Sequence, residues 1–354
     1  MGVELGVLEG YYGPSWSWPM REEQVAFLAP RGYGFYLYAP KADKYLRRRW
    51  REQHPHDTTE RLIALARQCR RYSMRFGVGL SPFEVYRNFD AEAQAALADK
   101  LAFLDAVGVD DLGILFDDMR GDVPDLAASQ TRIVHWIGER TRASRLIVCP
   151  TYYTDDPALD RAFGERPANY LADLGAALDP SVEVFWTGEE VCSREYGVSH
   201  LARVAESLRR KPFLWDNYPV NDGPLMSPYL HLRAMTGRPA SIGDYVSAHG
   251  INPALQPVLS RIPALSLVES YRMGSSYEYG AAFLRAAAEV LGEDLAHLVQ
   301  RHISLLQDAG RDRLGPAALR LRERYSDHAH PGAREIVAWL DGDYRTTSEM
   351  IEAQ

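Results

Sequence analysis

The chain has 354 residues, of which 46% are hydrophobic and 25% are charged, a composition typical of globular proteins rather than of disordered or fibrous ones. Its formal net charge of -8 at pH 7 argues against binding to nucleic acid or to an anionic membrane, and favours a neutral or small substrate. The three cysteines, Cys69, Cys149 and Cys192, lie far apart without a CxxC pair, which argues against a disulfide framework or a thiolate zinc site.

Short apolar runs recur along the chain, and most of them are followed by a segment with helical periodicity. This alternation predicts a parallel α/β sheet, and eight such units suit a closed (β/α)8 barrel better than an open sheet. No basic leader precedes the first run and no apolar stretch is long enough to span a bilayer, so we expect a cytoplasmic protein without membrane contact. The predicted strands are Val3–Leu8, Gly34–Tyr38, Arg75–Leu80, Leu112–Phe116, Leu146–Cys149, Val182–Thr187, Pro212–Trp215 and, more weakly, Tyr245–Ala248.

Helices are predicted between these runs. Asp57, Thr58 and Thr59 are candidate caps before Glu60, and Asp90 is a candidate cap for an alanine-rich helix that ends at Gly108. In that helix, Ala95, Leu97, Leu101 and Leu104 are expected on one stripe facing the barrel. The predicted helices are Glu22–Ala29, Thr58–Tyr72, Ala91–Val107, Ser129–Ala143 and Ser199–Arg210.

The pattern changes near Tyr277, after which apolar residues follow helical spacing without strands between them. We therefore predict two domains, a (β/α)8 barrel over residues 1–270 and an α-helical C-terminal region over residues 271–354. The helical tail either packs on the barrel or joins two subunits in a homodimer, and the sequence leaves both open.

Polar and aromatic residues follow many of the predicted strands, at the barrel end where active sites form. The adjacent Asp117 and Asp118 come directly after an apolar strand, so we expect the pKa of one of them to be raised, giving a general acid. A helix N-cap is the alternative interpretation of this pair. Trp16, Trp18, Trp186 and Trp215 are candidates to stack on sugar rings, although each would also suit the core.

Two other groups of residues have simpler interpretations. The basic run of Arg47, Arg48, Arg49 and Arg51 beside Trp50 is typical of a solvated helix face. The pairs His54 with His56 and His328 with His330 lack spaced cysteine or acidic partners, so we expect no metal site.

Seven motifs, at the ends of seven predicted strands, resemble those of glycoside hydrolase family 84, the O-GlcNAcases and related bacterial hexosaminidases. They keep their order and cover roughly residues 1–270. The resemblance implies a (β/α)8 barrel, a β-N-acetylglucosaminidase activity and no cofactor. The motifs are LEGYYG at 8–13, YLYAPKAD at 36–43, LFDDM at 115–119, CPTYY at 149–153, WTG at 186–188, WDNYPVND at 215–222 and GINP at 250–253.

The resemblance also implies roles for individual residues. Asp117 resembles the carboxylate that orients the substrate's 2-acetamido group, and Asp118 resembles the general acid and base. Asn217 and Tyr153 resemble the groups that hold the acetamido group during cyclisation. Lining of the acetyl pocket is implied for Cys149, Thr187 and Trp215, and binding of the sugar hydroxyls for Gly10, Lys41, Asp222 and Asn252.

The implied function is that of a retaining exo-β-N-acetylglucosaminidase whose substrate supplies its own nucleophile. The expected partner is a GlcNAc-bearing glycoside or glycoprotein. The alternatives are a catalytically silent sugar-binding or scaffolding protein on the same barrel, a deglycosylase for a small specialised metabolite, and an endo-acting or transglycosylating enzyme. Intact Asp117 and Asp118 argue against the silent protein.

Overall fold

Eight parallel strands form a closed barrel at the centre of the computed structural model, which describes residues 2–354. Each strand pairs with the next, and β8 returns to β1, so no strand edge is left open. The strands are buried on both faces, which explains why they are near-continuous apolar runs in the sequence. Their bounds are β1 Glu4–Glu9, β2 Tyr33–Tyr38, β3 Arg75–Leu80, β4 Asp111–Leu115, β5 Arg145–Cys149, β6 Glu183–Trp186, β7 Phe213–Asp216 and β8 Ala248–Ile251.

Helices surround this barrel and continue beyond it, which confirms the predicted (β/α)8 barrel followed by a helical region. Eight α-helices precede β8, namely α1 Trp18–Leu28, α2 His56–Arg71, α3 Ala91–Val107, α4 Leu126–Gly138, α5 Ala158–Phe163, α6 Tyr170–Ala177, α7 Val198–Leu208 and α8 Gly223–Met226. The helices after β8 are α9 Arg261–Met273, α10 Tyr279–Leu291, α11 Glu293–Ile303, α12 Ala317–Ser326, α13 Pro331–Asp341 and α14 Ser348–Ala353.

The last strand lies later in the chain than predicted. The apolar run at residues 245–248 suggested a strand followed by a polar loop, but His249, Gly250 and Ile251 are themselves part of β8. Tyr245 instead ends a 3-10 turn that begins at Ala240. The search for apolar runs did not include Gly250 in a strand because glycine has no apolar side chain. Its role is to allow close packing, since a Cβ there would lie 2.5 Å from the Leu8 side chain.

The caps of two helices were predicted with different success. Asp90 caps α3 by accepting a hydrogen bond from the Ala93 N–H, and Gly108 ends this helix with φ of 87°, as predicted. Pro55 is the N-cap of α2, so the caps expected at residues 57–59 were wrong. The predicted buried face of α3 was also wrong at one position, because Ala95 is exposed and Ala93 is buried instead.

The helical tail has a hydrophobic cluster of its own, which includes residues of α9 to α13. Helix α9 contributes to the hydrophobic clusters of both the tail and the barrel. Ile262 belongs to the tail cluster, whereas Ala264 and Leu267 belong to the barrel cluster. The proposed domain division at 270/271 falls inside this helix. We keep that division, and the homodimer through the tail, as predictions.

Glu335 in α13 fastens the tail to the barrel. Its buried carboxylate accepts hydrogen bonds of 2.9 Å from the backbone N–H groups of Val258 and Leu259. We expect Glu335→Ala to lower the free energy of unfolding by about 2–4 kcal/mol, because two buried donors lose their acceptor. Denaturant unfolding measures this loss. Glu323→Ala on the exposed face of α12 is the control and should change stability by less than about 0.5 kcal/mol; equal effects of the two variants would contradict the prediction.

Candidate active site

A cavity of about 200 Å³ opens at the C-terminal end of the barrel. All of the site residues predicted from the sequence line it, although they come from seven strand ends that are far apart in the chain. They are Gly10, Lys41, Asp117, Asp118, Cys149, Tyr153, Thr187, Trp215, Asn217, Asp222 and Asn252. The structure therefore brings the predicted set together, while the role of each member stays a prediction.

Five further residues line the cavity and were not predicted as site residues: Tyr12, Val191, Cys192, Val220 and Met226. Tyr12 is the most important of them, because its hydroxyl donates a 2.7 Å hydrogen bond to Asp118 Oδ2 and its backbone N–H donates to Asp222 Oδ2. The sequence did place Tyr12 at a strand end. The signal that identifies it is its contact with two acidic residues, which only the folded chain shows.

Asp117 and Asp118 leave β4 at an unusual backbone angle. Asp118 has a φ of 56°, in the left-handed region that non-glycine residues seldom occupy. The preceding Phe116 is held to the barrel by a hydrogen bond from its N–H to the Cys149 carbonyl. Strain of this kind concentrates at functional sites, where it aims a side chain in a direction that a relaxed strand end would not.

Lys41 lies between the two carboxylates. Its Nζ forms a short contact with Asp117 Oδ2 and lies 3.2 Å from Asp118 Oδ2. Burial favours the neutral form of Asp118, but the cations Lys41 and Arg47 and the hydrogen bond from Tyr12 outweigh it, so the pKa of Asp118 is lowered. The predicted rise is therefore wrong for Asp118 in the empty site, because the sequence did not show that a buried lysine separates the pair.

One oxygen of this arrangement is left without a partner. Asp117 is buried, and its Oδ1 accepts no hydrogen bond from another residue among those described. A buried acceptor without a partner is unfavourable, and an N–H or O–H donor on a ligand would satisfy it.

A chain of side-chain hydrogen bonds fixes the opposite wall. Asn217 Oδ1 accepts from Trp215 Nε1 at 3.1 Å and from Asn252 Nδ2 at 3.0 Å, and its Nδ2 donates to the Val191 carbonyl. Gly10 packs against Trp215 so closely that a Cβ would lie 2.2 Å from the indole ring. Of the four tryptophans considered for sugar stacking, only Trp215 lines the cavity; Trp16 and Trp186 are in the core.

Two titratable residues in the cavity stay neutral. Burial raises the pKa of the Cys149 thiol and that of the Tyr153 hydroxyl well above their usual values. A protonated thiol is neither a metal ligand nor an effective nucleophile. Cys149 thus contributes a small apolar surface, and Tyr153 a hydroxyl donor.

The basic run after β2 is not a solvated helix face. Arg47 ends a short 3-10 turn, Lys44–Leu46, and is only 4% exposed, and Trp50 is buried as well. Arg48 and Arg49 are exposed, as expected. Helical charge patterns did not apply because residues 44–50 form a 3-10 turn and further turns rather than an α-helix, and one arginine of the run is buried.

Other polar residues near the strand ends have structural contacts. Asp216 is fully buried between Arg238 and His249, at 2.7 Å and 3.0 Å, where it anchors the end of β7. His54 binds Asp43, and His330 caps α13 by accepting from the Gly332 N–H. Within residues 2–354, no helix has the length and apolar character needed to cross a membrane.

A second cavity of about 560 Å³ adjoins the first and shares Cys192, Asn217 and Met226 with it. Its wall includes Tyr218, whose ring stacks on His231 at 5.5 Å between ring centres. A larger cavity therefore lies directly beside the smaller one at the C-terminal end of the barrel.

Comparison with known proteins gives consistent matches. The family model described as beta-N-acetylglucosaminidase matches residues 5–303. Two curated relatives, the Protein O-GlcNAcase of Rattus norvegicus and that of Mus musculus, are each 30% identical over 229 residues, or 61% of this chain. The matched region is 24% of the length of each of these relatives.

Solved structures extend the likeness to the tail. A mutant of the Thermobaculum terrenum O-GlcNAc hydrolase is 28% identical, with a TM-score of 0.79 over 96% of this chain and 80% of that chain. The structure of CpGH84B is 25% identical, with a TM-score of 0.73 over 92% of this chain and 57% of that chain. The barrel and the helices after it therefore recur together in these proteins.

Proposed function

This chain belongs to the beta-N-acetylglucosaminidase family, glycoside hydrolase family 84, as its motifs predicted, and we propose that it removes terminal β-linked N-acetylglucosamine with retention of configuration. The observation that supports this most directly is the free, buried Oδ1 of Asp117 beside Asp118. An acetamido N–H supplies the missing donor. In that position, its carbonyl oxygen can attack the anomeric carbon.

The chemistry follows from these two carboxylates. As the acetamido oxygen bonds to the anomeric carbon, the glycosidic bond breaks and Asp118 gives its proton to the departing oxygen. Asp117 accepts the hydrogen bond of the acetamido N–H and stabilises the oxazoline. Water then adds to the anomeric carbon while Asp118 takes its proton, and the bond from this carbon to the oxazoline oxygen breaks, which regenerates the acetamido group. An intramolecular nucleophile lowers the barrier by about 7–11 kcal/mol in favourable cases, and no metal or cofactor is needed.

Asp118 must be protonated for the first step, whereas its pKa is lowered in the empty site. Bound sugar changes this balance because it excludes water and engages Asp117 and Lys41, which weakens the attraction between Lys41 and Asp118. In the second step Asp118 has already given its proton to the leaving group, so its carboxylate is free to act as the general base toward water.

A terminal sugar fits the smaller cavity, with Lys41, Asp222, Asn252 and Gly10 around its hydroxyl groups. We place the aglycone in the adjoining cavity, over Cys192 and Met226. Protein, cell-wall fragment and small metabolite remain candidate aglycones, each carrying the same terminal sugar. An endo-acting enzyme would need a groove open at both ends of the sugar site.

The direct test is incubation of the protein with an aryl β-N-acetylglucosaminide, following product by absorbance and anomeric configuration by NMR. We expect turnover and a β-configured first product. Saturable binding without product would instead identify a sugar-binding module, and an α-configured first product would rule out the double displacement.

Inhibition by a thiazoline, a stable mimic of the cyclised intermediate, tests the role of Asp117. We expect the thiazoline to bind at least about 10²-fold more tightly than N-acetylglucosamine, because it already has the bicyclic shape of the intermediate. Asp117→Ala should remove this advantage, because the carboxylate that accepts a hydrogen bond from the protonated ring nitrogen is lost. Calorimetry measures both affinities; equal affinities in the unmodified protein would exclude the acetamido mechanism.

The pH dependence tests Asp222. Burial, together with the charge of Asp118, raises the pKa of Asp222 to about 6 despite the hydrogen bond from Tyr12 N–H. If ionised Asp222 binds sugar hydroxyls, the affinity for N-acetylglucosamine falls as the pH drops through about 6, because this carboxylate then takes up a proton. In Asp222→Asn, calorimetry should show weaker binding throughout and no such pH dependence; a pH dependence that persists in the variant would assign it to another group.

A further inference from the structure

Arg47 is a buried cation without an acidic partner. Its side chain is 4% exposed, and its Nε and Nη1 atoms have no hydrogen-bond acceptor. Within the part of the chain that the structure describes, it forms no ion pair, whereas the other buried arginines Arg21 and Arg238 each bind a carboxylate. Burying an uncompensated charge opposes folding, so a purely structural role does not account for a guanidinium here.

The surroundings of Arg47 lead to the active site. Its guanidinium carbon lies 5.8 Å from the centre of the Tyr12 ring and 5.5 Å from that of the Phe83 ring. Tyr12 in turn donates its hydroxyl hydrogen bond to Asp118 Oδ2 at 2.7 Å. Arg47 therefore packs against Tyr12. Tyr12 and Lys41 both contact the Oδ2 atom of Asp118.

We propose that Arg47 is a positioning residue whose unpaired positive charge holds Tyr12 against Asp118 and acts on this carboxylate both directly and through Tyr12. The inference rests on the proposed function only for its effect on turnover. The charged and titratable groups that face Asp118 are Lys41, Arg47, Tyr12, Asp117, Tyr153, Cys149 and Asp222. Of these, Lys41 and Arg47 are cations, and only Lys41 is paired with the carboxylates.

The lowered pKa of Asp118 agrees with this arrangement, because both cations contribute to it. Removing the charge of Arg47 should therefore raise the pKa of Asp118. The protonated acid would then persist to higher pH, and the alkaline limb of kcat, which reports the pKa of Asp118 in the substrate complex, would move upward. A loss of packing alone would lower activity without moving this limb.

The chain offers a matched control in the next residue. Arg48 also lies over the Phe83 ring, at 5.1 Å, but it is exposed and does not contact Tyr12. Arg47→Met and Arg48→Met thus remove the same charge from the same turn, one behind the site and one at the surface. Arg47→Lys keeps the charge, and Arg47→Gln is a second neutral variant should the methionine variant not fold.

The experiment is a 13C NMR titration of the Asp118 carboxyl in the ligand-free full chain, followed by the pH profile of kcat. Arg47→Met or Arg47→Gln should raise the titration midpoint by about 0.5–1 pH unit, with a similar shift of the alkaline limb. Arg47→Lys should stay close to the unmodified protein, and Arg48→Met should match it.

An unchanged midpoint in both neutral Arg47 variants, or an equal shift in Arg48→Met, would overturn the proposal. The carboxyl titration needs no substrate. A shifted midpoint in a protein that does not hydrolyse β-N-acetylglucosaminides would therefore support the role of Arg47 while rejecting the proposed function.

Discussion

Asp118→Asn is expected to reduce hydrolysis of glycosides with poor leaving groups by about 10²–10⁴-fold, because an alkoxide cannot leave without a proton. A dinitrophenolate departs without protonation, so the first step with a dinitrophenyl glycoside should be largely spared. Replacement of Asp118 by asparagine should preserve the local structure. Asparagine tolerates the left-handed backbone of Asp118, whose φ is 56°, and its amide has nearly the same shape as the carboxylate.

Steady-state and single-turnover rates on the two classes of glycoside measure this difference. Asp125→Asn is the matched control, because Asp125 is exposed, lies outside the cavity and has a φ of 55°. It should leave both rates unchanged. Equal losses of Asp118→Asn on both classes of substrate would remove Asp118 from the acid role.

The second large effect concerns the substrate. We expect kcat/KM for an aryl β-N-acetylglucosaminide to exceed that for the matching β-glucoside by at least several hundred-fold, on the order of 10²–10⁵. Glucose lacks the nucleophile. It also leaves Asp117 Oδ1 unpaired and the space beside Cys149 and Trp215 unfilled.

Paired assays with one aryl leaving group test this preference. A third substrate, the N-trifluoroacetyl analogue, keeps the shape of the acetamido group but weakens its oxygen as a nucleophile, and it should react at an intermediate rate. Comparable rates for the acetamido and the 2-hydroxy sugar would contradict both the proposed site and the substrate-assisted mechanism.

These expectations share one electrostatic feature, the buried Lys41 between two carboxylates. Two adjacent acids without a cation would raise the pKa of one of them, and that reasoning underlay the prediction from the sequence. Lys41 reverses the outcome for Asp118, so the proposed mechanism requires proton uptake when substrate binds. The lysine was predicted as a ligand of sugar hydroxyls, and its contacts in the structure are with Asp117 and Asp118.

The sequence by itself determined the barrel and, through the resemblance of its motifs to a known family, most of the residues that line the cavity. Parallel strands are buried on both faces, so each appears as an apolar run, and polar residues such as Asp117 at the strand ends collect at one rim. Local signals sufficed where the interaction is local, as at the Asp90 cap and Gly108 of α3. They failed at β8, where Gly250 is fixed by close packing against Leu8 from the other end of the chain.

Only the tertiary structure decided the state of the charges. Whether Arg47 is solvated or buried, and whether the pKa of Asp118 rises or falls, depends on groups that are distant in the chain and close in space. A charge pattern in the sequence shows which ions exist but not the distances between them or their exposure to water. Electrostatic energy depends on these distances and on exposure to water, which is why the contacts of Tyr12 and Arg47 near Asp118 appear only in the folded chain.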